Sequence, residues 1–235
     1  MSTVESIERY LRTQLAADAN VPGEDEDRGV RAFITISRQA GTGGHALADA
    51  IVQAFERQPE PAFHGWVVYD RTVCALVADD EAYEKNLGSL LAEEYRSTAQ
   101  DWFHQILHRT LDQDIVMQRV ALVVRTLAGM GKSIIVGRGG ANATDGMRGG
   151  LAVRMVAPME HRVARSMRVD QYGNEHETTD RLRKNDRNRS RLIHSAYDAD
   201  IDDPTRYDLV VNAGRVTHDQ AAEAIVGILR ARLGS

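Results

Sequence analysis

Apolar and polar positions alternate along this chain in two periods. Ala32-Phe-Ile-Thr-Ile-Ser37 is a short β-branched run of strand length that ends in a glycine cluster. From about His45 to Glu56 the apolar residues then recur at helical spacing. Trp66-Val-Val-Tyr69, Ser133-Ile-Ile-Val136, Leu151-Ala-Val-Arg-Met-Val156 and Tyr207-Asp-Leu-Val-Val-Asn212 predict four more strands. Helical patterns follow the last two, from about Pro158 to Val169 and from Thr217 to Leu233, the second opened by a threonine cap. The residues between Arg71 and Gly131 are mostly helical in pattern. Short apolar strands separated by helices call for a parallel sheet covered on both faces. The expected fold is α/β, a doubly wound parallel five-stranded sheet with a helical insertion after the second strand.

Ile7, Leu11 and Leu15 recur at four-residue spacing, so residues 5 to 18 are expected to form an amphipathic helix. Its apolar stripe suits docking on its own domain or against a second copy of the chain, a homodimer contact. The acidic run Glu24-Asp25-Glu26-Asp27 lies in a linker between Pro22 and Gly29, which divides the chain into an appendage (1–30) and one domain (31–235).

Composition narrows the function classes. The 235 residues are 43% hydrophobic and 27% charged, enough apolar content to build one good core. The formal charge is −5, with three lysines against twenty-six arginines. No general polycation is offered to nucleic acid or to an anionic membrane, so any basic site is local. The lone Cys74 excludes an intramolecular disulfide and a cysteine-based zinc cluster. The first residues carry acid where a signal peptide needs base, and no apolar run approaches the roughly 20 residues that span a bilayer. A cytoplasmic protein is expected.

The first chemical signal is Ser37-Arg-Gln-Ala-Gly41-Thr42-Gly43-Gly44-His45, between the first strand and its helix. Glycines there let backbone N–H groups curl around an anion while the helix N-terminus adds partial positive charge. Two patterns compete. Against the phosphate-loop pattern G-x-x-x-x-G-K-[ST], Arg38 stands at the first glycine, Gly44 at the lysine and His45 at the magnesium-binding hydroxyl. Against the dinucleotide pattern G-x-G-x-x-[GA], Gly41, Gly43 and Ala46 match, with Asp70 closing the second strand where a ribose would be held.

The second signal is Asp180 to Arg191, with six cationic side chains in twelve positions. On a helix Arg183, Arg187 and Arg191 share one face and repel unless an anion or acids lie between them. Guanidinium forks suit phosphate oxygens and stabilise a phosphoryl group in transfer, and a dehydrogenase has no need of them. A third is Gly137-Arg138-Gly139-Gly140 at the carboxyl end of the third strand, the edge where open α/β sheets bind ligands. Asp70 and Arg71 end the second strand at that edge. His104 and His108 lack the H-E-x-x-H pattern, and there is no G-x-S-x-G elbow, so neither a zinc hydrolase nor a serine relay is expected.

Taken in order, Ile34 to Gly44, Tyr69-Asp-Arg71, Ile135-Val-Gly-Arg138, Val156-Ala-Pro158 with Arg162 and Arg165, Lys184 to Arg189, Asp203-Pro204 and Tyr207 to Asn212 resemble the cytidylate kinase-like family. The match runs over about residues 32 to 230. That family resembles a divergent branch of the nucleoside monophosphate kinases, with a P-loop NTPase fold, a monophosphate-binding insertion and an arginine-bearing lid. The resemblance implies an ATP-dependent phosphotransferase using magnesium, acting on a nucleoside monophosphate such as CMP or another small acceptor. It implies donor-phosphate binding by Ser37, Gly41, Thr42, Gly43, Gly44 and His45. Acceptor binding falls to Asp70, Arg71 and Arg138. Lid catalysis falls to Arg183, Asp186, Arg187 and Arg189, Asp186 and Arg189 matching the family's D-x-x-R element, and Arg38 or a lid arginine supplies the charge of the absent lysine. A catalytically weak nucleotide-binding regulatory module is the alternative, and a dinucleotide oxidoreductase the third reading.

Overall fold

The computed structural model describes residues 31–70, 112–169 and 174–234. The expected N-terminal helix, Arg71, Cys74, His104 and His108 lie outside them. The elements are β1 (Phe33–Arg38), α1 (Gly44–Glu56), β2 (Val67–Tyr69), α2 (Asp112–Met130), β3 (Ser133–Val136), α3 (Gly140–Ala143), β4 (Gly150–Val156), α4 (Met159–Val169), α5 (Glu175–Tyr197), β5 (Leu209–Asn212) and α6 (His218–Leu233). One-turn 3-10 helices at Pro61–Phe63 and Pro204–Arg206 complete the described chain.

All five strands are parallel, in the order β2-β3-β1-β4-β5. Residue alternation in β1 and β3 decides what each face of the sheet meets. Ile34, Ile36, Ile134 and Val136 join Leu47, Ile51 and Phe55 of α1 and Ile225 and Leu229 of α6 in one core. Phe33 and Ile135 point the other way and pack with Val120, Val124 and Leu127 of α2. The sheet is therefore covered on both faces, as its apolar runs require. Phe55 also anchors the edge, its ring 5.2 Å from Phe63 and 4.8 Å from Trp66 between centroids.

Element ends shift from the sequence expectation by one or two residues. The fifth strand starts at Leu209 rather than Tyr207 because the Asp208 carboxylate, not backbone, accepts the Ala152 N–H at 2.7 Å. The Tyr207 hydroxyl meanwhile turns away to donate to the Ile201 carbonyl at 2.8 Å. Thr217 caps α6 as expected, in a reciprocal box with Gln220.

The dinucleotide reading expects the second strand beside the first. Here β3 separates them, so Asp70 does not close the strand next to the glycine turn. No helix of the described residues is long and apolar enough to cross a membrane.

Candidate functional site

In the order β2-β3-β1-β4-β5 the chain leaves β1 toward β2 and leaves β3 toward β4, so a crevice opens at the carboxyl ends of β1 and β3. The glycine loop follows β1 beside it. Gly41 and Gly43 have φ of +83° and +85°, a left-handed turn that carries the chain from β1 to the first residue of α1, Gly44. No side chain caps α1, which leaves its first N–H groups for an anion. Two bonds tie the loop to the end of β4: Gln39 N donates to Met155 O at 2.9 Å and Ala157 N donates to Gln39 Oε1 at 3.1 Å.

Helix α5 reaches the same loop. Asp186 Oδ1 accepts the Ala40 N–H at 2.7 Å, and Oδ2 lies 2.5 Å from Arg162 Nη1. Arg162, on α4, also donates to Ala40 O at 3.1 Å, and its side chain is 7% exposed. Arg189 Nη1 donates to Arg38 O at 3.1 Å and sits 3.7 Å from Asp186 Oδ1. The two segments singled out by sequence, glycine loop and arginine-rich helix, are thus in direct contact.

Between β1, β3 and α5 lies an open cleft lined by Arg38, Arg138, Asn142, Arg189 and Ile193 among others. Its electrostatics are one-sided. Burial, then Arg189, Arg138 and Arg154, bring the Arg38 pKa down to about 10, and Asp70 opposes them. Arg189 is lowered as well, mainly by burial, against the raising effect of Asp186. Arg138 holds φ at +58°, a strained position for a side chain with a β-carbon, at the mouth of β3. The amide nitrogen of Asn142 is buried without a hydrogen-bond partner. Three guanidiniums lining one cleft favour an anionic ligand.

The sequence-derived candidates are distributed as follows. Arg38, Arg138 and Arg189 line the cleft together with Ser37, and Asp70 is electrostatically coupled to Arg38. Gly41, Gly43 and Gly44 form the loop. Thr42 is buried, its hydroxyl donating to Gln39 O at 2.8 Å and its carbonyl meeting His218 Nε2 at 3.0 Å, so its side chain serves the loop's own shape. His45 is exposed on the first turn of α1. Arg183 and Arg187, with Arg191, form the solvent face of α5, while Asp186 and Arg189 share the inward face with Leu182 and Ile193.

Arg154 carries a role that its sequence position conceals. A cation in the middle of the apolar run of β4 is buried, donates to Ser37 Oγ at 2.8 Å, pairs with Asp202 and lies 5.8 Å from the Tyr207 ring centroid. The isolated arginine in an otherwise apolar strand was the available signal, since a buried charge needs a partner. Ser37 is thereby bound into this network. Ser37→Ala leaves one Arg154 N–H unsatisfied and is expected to cost about 1–3 kcal/mol in urea unfolding. A loss below about 0.5 kcal/mol would show that the hydroxyl is dispensable to Arg154.

A family model described as "Cytidylate kinase-like family" matches residues 33–215. Among solved structures, an uncharacterized protein from Eubacterium ventriosum ATCC 27560 is similar over 86% of this chain and 99% of its own, at 18% identity and a TM-score of 0.64. A shikimate kinase from Bacteroides thetaiotaomicron is similar over 87% of this chain and 99% of its own, at 14% identity and a TM-score of 0.45. No curated protein matches the chain.

Proposed function

We propose that this chain, which belongs to the cytidylate kinase-like family, transfers the γ-phosphoryl group of ATP to a nucleoside monophosphate such as CMP or another small anionic acceptor. The observation that carries this reading is the arginine-lined cleft at the β1–β3 edge, walled in part by α5, which also holds the neighbouring glycine loop through Asp186 and the Ala40 N–H.

The donor triphosphate lies along the uncapped N-terminus of α1, and the acceptor enters beside Arg138. Arg38 and Arg189 then face the phosphoryl group between them. The bond from the γ-phosphorus to the bridging oxygen breaks as an acceptor oxygen bonds to that phosphorus, and the diphosphate leaves. Such transfer needs positioning and charge stabilisation more than covalent chemistry. A phosphate-oxygen nucleophile is already deprotonated near neutral pH, so no general base is required. That suits a cleft whose polar groups are mostly donors.

The donor set also fits magnesium that arrives with the nucleotide. The described residues hold no group of three or more His, Cys, Asp or Glu side chains suited to a metal. Mg²⁺ ordinarily keeps waters and takes one or two carboxylates plus substrate phosphates. Asp70 is the carboxylate coupled to this cleft. When bound, the ion would neutralise charge on the donor oxygens.

The regulatory reading keeps one observation in its favour. The Asp186 carboxylate occupies the Ala40 N–H, a loop donor. The two readings separate when the full chain is incubated with ATP, magnesium and a panel of nucleoside monophosphates. Diphosphate product from at least one acceptor is expected. Tight ATP binding with no phosphorylated product across the panel would favour the regulatory module instead.

A further inference from the structure

Two of the loop's three departures from the phosphate-loop pattern are coupled: an arginine stands where the first glycine belongs and a glycine where the lysine belongs. The pairing has a steric reason. The stem of Arg38 runs alongside Gly44. A β-carbon added at Gly44 would stand 3.2 Å from Arg38 Cγ, 3.3 Å from Cδ and 3.4 Å from Nε. A β-carbon at position 44 would therefore push the Arg38 stem aside by a few tenths of an ångström, and a longer side chain extending the same way would contest the space that Arg38 fills. Beyond Gly44 the guanidinium crosses Gly137, at the end of β3. A β-carbon there would overlap Nη1 and lie 2.8 Å from Cζ. Gly137 also has φ of +81°. Arg38 is thus threaded between two bare backbone positions, and its head emerges in the cleft beside Arg138 and Arg189.

This is an expensive place for a cation. Burial and three arginines disfavour its charge, and among the described residues Asp70 favours it. A buried arginine kept for structure would be expected in a close ion pair, as Arg162 is with Asp186 and Arg154 with Asp202.

We infer that Arg38 is the loop's phosphate-binding cation transposed from the seventh position of the pattern to the first, and that cationic side chains at 38 and 44 exclude each other. This inference rests on the kinase reading above. It adds the residue that supplies the missing lysine's charge and the reason why position 44 must stay bare. A guanidinium arriving from the end of β1 approaches the donor phosphates from the β3 side of the crevice, where it also faces the incoming acceptor. A lysine from α1 would have served the donor alone.

Binding separates the possibilities without requiring turnover. The full chain and its variants are titrated calorimetrically with a non-hydrolysable ATP analogue and magnesium, and melting temperatures are recorded without nucleotide. Arg38→Gln should weaken binding by about 10–100-fold, the loss of one charge-assisted contact. It should also raise the melting temperature by about 2–4 °C, because the unliganded cleft loses a repelled charge. Gly44→Lys alone should weaken binding by at least about tenfold, since two cations compete for one track. The exchange Arg38→Gly with Gly44→Lys should recover binding to within about threefold of the native chain.

Unchanged affinity in Arg38→Gln overturns the assignment of Arg38, whatever happens to the melting temperature. Native affinity in Gly44→Lys, or no recovery in a folded double variant, overturns the mutual exclusion. A native chain that does not bind the analogue overturns the kinase reading itself, an outcome distinct from both.

Discussion

Arg189→Ala is expected to lower turnover by about 10³-fold or more while the protein still folds, the range seen when a phosphoryl-transfer enzyme loses an arginine that stabilises the transferring group. The side chain is one-third exposed, at 33%, and lines the cleft, so its removal opens no large core cavity. Its one hydrogen bond to the Arg38 carbonyl, at 3.1 Å, ties α5 to the end of β1. Charge that develops on the phosphoryl group in flight meets Arg189 from the α5 side and Arg38 from the β3 side. Removing one clamp should therefore depress kcat much more than it raises KM for ATP. Arg189→Lys keeps the charge but loses the planar fork, and should recover only part of the activity. Steady-state kinetics with a melting curve for each variant check the claim. An unchanged kcat in Arg189→Ala would remove the residue from the mechanism.

The largest expected effect on stability belongs to Asp186→Ala. One carboxylate accepts the Ala40 N–H at 2.7 Å and holds Arg162 at 2.5 Å. Arg162 is left with the Ala40 carbonyl as its remaining partner in the loop. Breaking a buried ion pair from one side typically costs 3–5 kcal/mol, because the surviving charge stays desolvated. Asp186 is 27% exposed, which sets the expectation near 3 kcal/mol, at the lower end of that range. At roughly 2–4 °C per kcal/mol the melting temperature falls by about 6–12 °C. Asp186→Asn retains an acceptor for Ala40 and should lose less. Urea unfolding of both variants measures this, and a cost under about 1 kcal/mol for alanine would mean that α5 is held to the loop by other contacts.

Much of the architecture was legible in the sequence, since the strands are short apolar runs and most of the longer helices carry an apolar stripe. Phe33 and Ile34 fall on opposite faces by alternation alone, and that alternation already demands cover on both sides of the sheet. Strand order was less legible. Nothing local in Val67–Tyr69 says that β3 will lie between it and β1, because order follows from how α1 and α2 pack across the sheet.

The arginine-rich helix shows the same division. Four-residue spacing groups Arg183, Arg187 and Arg191 on one face but does not say which way that face looks, and here it looks to solvent. The inward face reads Leu182, Asp186, Arg189, Ile193, at steps of four, three and four. An acid and an arginine interrupt an apolar stripe there, a pattern that marks buried chemistry better than a run of charges does. Arg38 was legible as the residue beside a lysine-free loop. Its passage between Gly44 and Gly137 depends on a strand ninety-odd residues further along the chain.

A crystal structure with magnesium and a non-hydrolysable ATP analogue tests the central claim most directly. The account predicts the terminal phosphate in the β1–β3 cleft, within hydrogen-bond distance of the Arg38 and Arg189 guanidiniums, with the other phosphates along the N-terminus of α1. Phosphates bound away from that cleft, with both guanidiniums turned from them, would contradict it.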